Sequence, residues 1–290
     1  MDFRLTEDQR DLRRGVRELL ARLFDREALR AAVDAGGRLD RELWRELGAA
    51  GLFALRLPEE EGGVGLGLPE AVLVFEEVGR TLVPGPLVAT HVAAGSVPGA
   101  AEGAVVVTDA SEGLVPWLDE ADVVLGDVSG AVPMRSVDPL TPLHRVRGLG
   151  GADGAGGDAA VLLTAAEQVG SAGRTTGAAV AYAREREQFG EVIGGFQAVK
   201  HLCAGMLVRA ELARAAVRAA SLTADPVEIA GAKLLADEAA IGNARDCLQV
   251  YGGMGFTWEA DVHLHLKRAW VRAELRLPAA RAEETVAAAL

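Results

Sequence analysis

Apolar residues recur at helical spacing near both ends of the chain and lose that period in between. Thr6-Glu7-Asp8-Gln9 has the form of a capping box, and Leu12, Val16, Leu19, Leu20 and Leu23 follow on one helical face, which predicts an amphipathic first helix. A second helix is expected from Asp40 as cap, through Leu43, Leu47 and Ala50, to a stop at Gly51. A third begins at Pro69, a residue suited to a first helical turn, and passes Val72, Phe75, Glu76 and Val78 to Gly79. From Ala104 the texture changes to short β-branched runs cut by Gly, Pro and Asp: Val105-Val106-Val107, Ala121 to Leu125, Ala131-Val132 and Leu143 to Val146. These runs predict a small β domain of about forty-five residues. Gly148 to Gly157 is too glycine-rich for a stable element and reads as a linker. Beyond it four long helices are expected, over 158–188, 195–222, 226–251 and 259 to the end, separated by Phe189-Gly190, Asp225-Pro226 and Gly252-Gly253. The fold class is therefore mostly α with a small β insert: an amino-terminal helical domain (1–102), a middle β domain (103–150) and a carboxy-terminal four-helix bundle (151–290).

Composition narrows the function without changing this picture. A chain of 290 residues, 50% of them apolar, can bury two or three packed layers. Its formal charge of −12 disfavours nucleic acid, because a phosphate backbone would be repelled. Cys203 and Cys247 lie in apolar helical patterns without Cys-x-x-Cys spacing, so buried free thiols in a reducing cytoplasm are expected. No basic segment leads into an apolar run at the amino terminus, and no apolar stretch of about eighteen residues occurs, so neither export nor a membrane span is expected. The glycines between Gly62 and Gly67 superficially suggest a dinucleotide loop, but Glu59, Glu60 and Glu61 would repel a pyrophosphate, and the segment reads as a turn.

Two ordered blocks carry a family resemblance. Tyr182-Ala183-Arg184-Glu185-Arg186-Glu187-Gln188-Phe189-Gly190, continued by Ile193-Gly194-Gly195-Phe196-Gln197-Ala198-Val199-Lys200-His201, closely resembles the first helix junction of the acyl-CoA dehydrogenase bundle. Gln249-Val250-Tyr251-Gly252-Gly253-Met254-Gly255-Phe256 resembles the family's glycine turn before the last bundle helix. Weaker similarity extends to Leu52-Phe53, Pro58-Glu59, Gly62-Gly63 and Phe75 to Arg80. The middle domain is shortened relative to the family and lacks its aromatic and threonine motif.

The resemblance implies FAD as cofactor, an acyl-CoA thioester as substrate, α,β-dehydrogenation as the reaction and an electron-transfer flavoprotein as acceptor. It assigns Arg186, Gln188 and Phe189 to flavin diphosphate contacts across a subunit interface. It assigns Gln197 and Gln249 to the adenosine half, and Gly252 and Gly253 to close backbone approach. The reaction needs a carboxylate to take the α-proton. In most relatives that base stands in a Glu-Gly-Thr segment, which falls here on Arg276-Leu277-Pro278; in a minority it stands where this chain has Ala160. Glu167, seven residues beyond Ala160 on the same helix face, and Asp158, two before it, are the remaining candidates, each with a plain alternative as a bundle salt bridge or an N-cap. Glu259, Asp261, His263 and His265 invite a metal reading, but His-x-His on a helix sends the rings to different faces; i,i+4 side-chain pairs are expected instead. Three readings stay open: one subunit of a heteromeric dehydrogenase, a heterotetramer with a homologous partner that supplies the base; a non-catalytic scaffold or regulatory subunit; and a homo-oligomer with a relocated base.

Overall fold

The computed structural model describes residues 4–147 and 156–290; most of the expected linker, 148–155, lies outside the described residues. The amino-terminal part holds α1 (Glu7–Leu23), α2 (Arg26–Asp34), α3 (Arg41–Ala49), α4 (Leu68–Gly79) and α5 (Leu87–Ala93). The capping box of α1 forms as its sequence predicts: Gln9 N donates to Thr6 Oγ1 at 3.2 Å and Thr6 N to Gln9 Oε1 at 3.1 Å. Asp40 caps α3 by accepting from Glu42 N and Leu43 N, and Gly51 follows that helix at φ +80°. Two helices were not expected. Asp25 caps α2 by accepting from Ala28 N at 2.9 Å, directly after the first helix ends. Helix α5 is buried nearly throughout, so it shows no polar face to read; Thr90 exchanges hydrogen bonds of 3.0 Å with both backbone groups of Val107.

Helix α4 is the hub, buried at every position from Ala71 to Gly79. That includes two carboxylates, which are held by arginines from both sides. Glu77 takes Arg13 at 3.0 Å, Arg17 at 2.8 Å and Arg80 at 3.4 Å; Glu76 takes Arg214 at 2.9 Å, Arg218 at 3.3 Å and Arg13 at 3.4 Å. Burial works to raise the Glu77 carboxyl, but the Arg17 hydrogen bond and the charges of Arg17, Arg80 and Arg13 outweigh it and hold it below its usual range.

Five short strands make the middle region: β1 (Val107–Asp109), β2 (Leu114–Pro116), β3 (Val123–Leu125), β4 (Val132–Met134) and β5 (Leu143–Arg145). β1 pairs in parallel with β3, Val107 opposite Val123; β2, β5 and β4 form an antiparallel sheet in that order. Strand β2 was not expected, since Gly113 and Pro116 bracket its few residues. Trp117 ties this region to the amino-terminal helices by donating Nε1–H to Gly37 O at 3.1 Å.

The bundle follows the expected order: α6 (Gly157–Glu185), a hairpin of β6 (Glu187–Gln188) and β7 (Glu191–Val192), α7 (Gln197–Thr223) and α8 (Pro226–Tyr251). The fourth member departs from expectation, for it is divided into α9 (Val262–Glu274) and α10 (Ala279–Ala287). Arg276 and Leu277 take φ of +52° and +69°, a left-handed step that no helix can pass, and Pro278 follows. Alanines such as Ala165, Ala172, Ala236 and Ala240 fill the core and let the helices approach closely. Cys247 is buried, whereas Cys203 is only half-buried, a correction to the expectation for both. Burial raises both thiols, Cys247 to about 12, so neither is a thiolate at neutral pH.

Helices α4 and α6 meet backbone to backbone. A Cβ on Gly79 would stand 1.9 Å from the carbonyl oxygen of Glu167, and one on Gly170 would stand 1.9 Å from that of Glu76. We expect Gly170→Ala to lower stability by about 1–3 kcal/mol in urea unfolding, because two main chains must part. Gly177→Ala, on the same helix with open space around it, should instead stabilise by about 1 kcal/mol.

Three buried histidines give the stability a pH dependence. Burial pulls His91 and His263 down to about 4 and His265 to about 3. Each is neutral when folded but takes a proton in the unfolded chain below its ordinary 6.5. The stability is therefore complete above about pH 6.5 and is lost as pH falls towards 4 and 3, at up to about 1.4 kcal/mol per pH unit for each group. Melting temperatures measured from pH 7 down to pH 4 should fall progressively, and His91→Gln should shallow the slope.

Candidate functional site

Two places in the structure correspond to the expected chemistry. The first surrounds Arg276, at the break between α9 and α10. Arg268, Arg272 and Arg276 recur every fourth residue and all point inward, each buried against an acid from a different segment. Arg268 Nε pairs with Asp138 and its Nη groups reach the carbonyls of Val83 and Leu82. Arg272 Nη2 donates to Glu167 Oε1 at 2.8 Å. Arg276 forks onto Asp109 of β1, Nη1 to Oδ2 at 2.7 Å and Nη2 to Oδ1 at 2.6 Å, while its backbone N–H donates to Ser111 Oγ at 3.1 Å. A two-pronged contact of this kind fixes both partners. Burial pulls the Arg272 guanidinium down to about 10 against the opposing charge of Glu167, which leaves it a cation at neutral pH.

Trp117, Thr164, Glu167 and these three arginines enclose a cavity of only about 50 Å³. That holds a few waters and no acyl chain. Glu167 is buried and spent on Arg272. Asp158 is exposed in the first turn of α6, where Gly156, not Asp158, occupies the cap position. The two candidates stand nine residues apart on one helix, roughly 13 Å along its axis, so they do not share a site. Leu277 takes a φ of +69°, a backbone conformation that glycine adopts more freely than leucine.

The second place is one end of the bundle. Tyr182 near the end of α6 and Tyr251 at the end of α8 stack with ring centroids 4.1 Å apart, and so bring the two sequence blocks together. Arg186, Gln188 and Phe189 are exposed on the hairpin after α6, Gln197 at the start of α7 and Gln249 on α8. Phe189 is 95% exposed at φ +57°, a strained backbone carrying an apolar ring into solvent. A Cβ on Gly252 or Gly253 would meet nothing within 4 Å, so a ligand has room against their main chain. Cationic, amide and aromatic groups gathered on an open surface fit the diphosphate and adenosine of FAD.

The region of Glu259 to His265 corrects the expected i,i+4 pairing. Asp261 pairs with Arg26 at 2.7 Å and with Arg30. His263 meets the ring of Trp258, and Ser171 Oγ lies 2.8 Å from His265 Nδ1. Among the described residues no group of three or more His, Cys, Asp or Glu is placed to hold a metal ion. The partners Asp109 and Asp138 were missed by sequence reading; arginines at 268, 272 and 276, spaced to share one helical face, were the available signal, since cations on a buried face need buried acids.

Arg276→Ala should strand the Asp109 carboxylate and lower stability by about 3–5 kcal/mol in chemical denaturation. Arg276→Ala with Asp109→Ala should cost clearly less than the sum of the single changes.

The chain can now be set beside known proteins. A family model for the acyl-CoA dehydrogenase N-terminal domain matches residues 6–103, and one for the C-terminal domain matches residues 160–275. The chain is 37% identical over 295 residues to the acyl-CoA dehydrogenase IpdE2 of Mycobacterium tuberculosis, across 93% of each protein. It is 36% identical to the protein of the same name from Mycolicibacterium smegmatis, across 94% of this chain and 96% of that one. Butyryl-CoA dehydrogenase from Megasphaera elsdenii shares the fold with a TM-score of 0.82 at 19% identity, over 100% of this chain and 99% of its own. The Tcur3481–Tcur3483 steroid ACAD shares it at 0.85 and 24% identity, over 97% of each chain, and PigA, whose structure was solved with FAD and proline, at 0.85 and 19%, over 100% of this chain and 99% of that one. The chain belongs to the acyl-CoA dehydrogenase family of FAD-dependent oxidoreductases.

Proposed function

We propose that this chain is one subunit of a heteromeric acyl-CoA α,β-dehydrogenase, assembled with a homologous subunit that supplies the catalytic carboxylate and the acyl pocket. The observation that carries the reading is the buried Arg276–Asp109 pair. A guanidinium stands where relatives place the base, and an acid already engages it at 2.6 and 2.7 Å. The small cavity beside it supports the same conclusion.

In this reading the bundle end is the working part of the chain. Arg186 and Gln188 bind flavin diphosphate at the subunit interface, Phe189 covers it from solvent, and Gln197 and Gln249 orient the adenosine half. Gly252 and Gly253 let main-chain amides approach. FAD supplies acceptance of a hydride. The reaction needs a carboxylate to take the α-proton of the thioester, which in this reading the partner would supply, while bound FAD would take up the β-hydrogen as hydride, leaving a C=C bond. The electrons leave to an electron-transfer flavoprotein. Glu167, fixed by Arg272, holds the α6–α9 contact in this reading and takes no proton.

The heteromer is tested by purifying the chain alone and together with homologous chains encoded beside it, then recording the flavin absorption spectrum and acyl-CoA turnover. Stoichiometric flavin and turnover are expected only in the assembled pair. Arg186→Ala in that pair should weaken flavin binding by about ten- to a hundredfold, the loss of one charged hydrogen bond, without changing the melting of the chain. Flavin retention and turnover by the chain alone would overturn the proposal and restore the homo-oligomer reading. An assembled pair that keeps its activity in Arg186→Ala would point to a scaffold.

A further inference from the structure

A cleft of about 530 Å³ lies between the amino-terminal helices and the C-terminal half of α6, away from Arg276 and its cavity. Its volume is within the range of small-molecule sites. Its lining includes the guanidiniums of Arg17, Arg26, Arg80 and Arg174, the acids Asp25, Glu77, Glu259 and Asp261, the apolar groups of Phe24, Leu29 and Tyr251, and His265.

Two of the four carboxylates that line this cleft are engaged by arginines. Glu77 alone serves Arg13, Arg17 and Arg80, and Asp261 serves Arg26 and Arg30. Arg174 has no hydrogen-bond or ion-pair partner among the described residues. The guanidiniums are also crowded: a Cβ on Gly173 would meet Arg214 Nη2 at 3.1 Å and Arg80 Nη1 at 3.4 Å. His265 senses the excess, since after burial the charges that keep it neutral are Arg174, Arg272, Arg268 and Arg80.

Ser171 Oγ lies 2.8 Å from Nδ1 of His265, whose ring lines the cleft although only 6% of the residue is exposed.

We propose that this cleft binds a small organic anion, with an apolar or aromatic body against Phe24, Leu29 and Tyr251 and a phosphate or carboxylate group held by Arg174 and Arg80. The inference does not depend on the heteromer.

The test is calorimetric titration of the purified full chain with 1-naphthyl phosphate, 1-naphthoate and the neutral 1-naphthamide. Saturable binding of one or both anions is expected, with the amide at least tenfold weaker; the preferred anion identifies the head group. Arg174→Gln removes a surface cation and Ala21→Trp fills the cleft from an exposed position on α1, so neither should alter melting. Each should weaken anion binding at least tenfold. The proposal is overturned if no anion binds, if the amide binds equally, or if both variants bind as the original chain does.

Discussion

The backbone contacts of Gly79 with Glu167 and of Gly170 with Glu76 set the position of everything around them. With no Cβ on either residue, α4 and α6 touch through their main chains, at a separation that any side chain would prevent. Glu76 and Glu77 sit on the last turns of α4 beside this contact, and Glu167 lies one turn before Gly170. The close crossing buries all three carboxylates together. Arginines then come from α1, α4 and α7 to Glu76 and Glu77, and from α9 to Glu167. Removing one such cation exposes the cost of burying its acid, which is why these pairs hold the helices in one arrangement even though their net worth over apolar packing is small.

The same logic holds at the break between α9 and α10. Arg276 and Asp109 are bonded there by two prongs and surrounded by Arg272–Glu167 and Arg268–Asp138. Three pairs in a row make a polar spine between the middle region and the bundle. The interface has become a joint, with its charges used for assembly of the chain.

Much of this fold was legible in the sequence because its signals are local. The caps at Thr6, Asp40 and Asp225, the stops at Gly51 and Gly252 and the apolar period of α1 each report their own neighbourhood. What was not legible depends on partners distant in sequence. Helix α5 has no polar face because Val107 and the bundle cover it, and α9 breaks because Arg276 is drawn to Asp109, 167 positions earlier. Arg186, Gln188 and Gly252 could be named from a motif. Asp109 and Asp138 could not, since single acids in a region of short strands carry no period and belong to no motif. Asp261 shows the opposite error: its spacing to His265 suggested a local pair, and two arginines of α1's neighbour α2 claimed it instead.

The inward turn of so many arginines has a consequence for the outside of the molecule. The formal charge of −12 counts cations that are neutralised within the fold, such as Arg268, Arg272 and Arg276 with their acids. Guanidiniums spent on Glu76 and Glu77 are likewise withdrawn from the solvent side. The outer shell is left predominantly acidic, and its field repels anions at long range. An anionic molecule approaching this protein is thus turned away from most of its surface and admitted only where a guanidinium reaches the opening, so that the placement of a few arginines governs encounter before any contact is made.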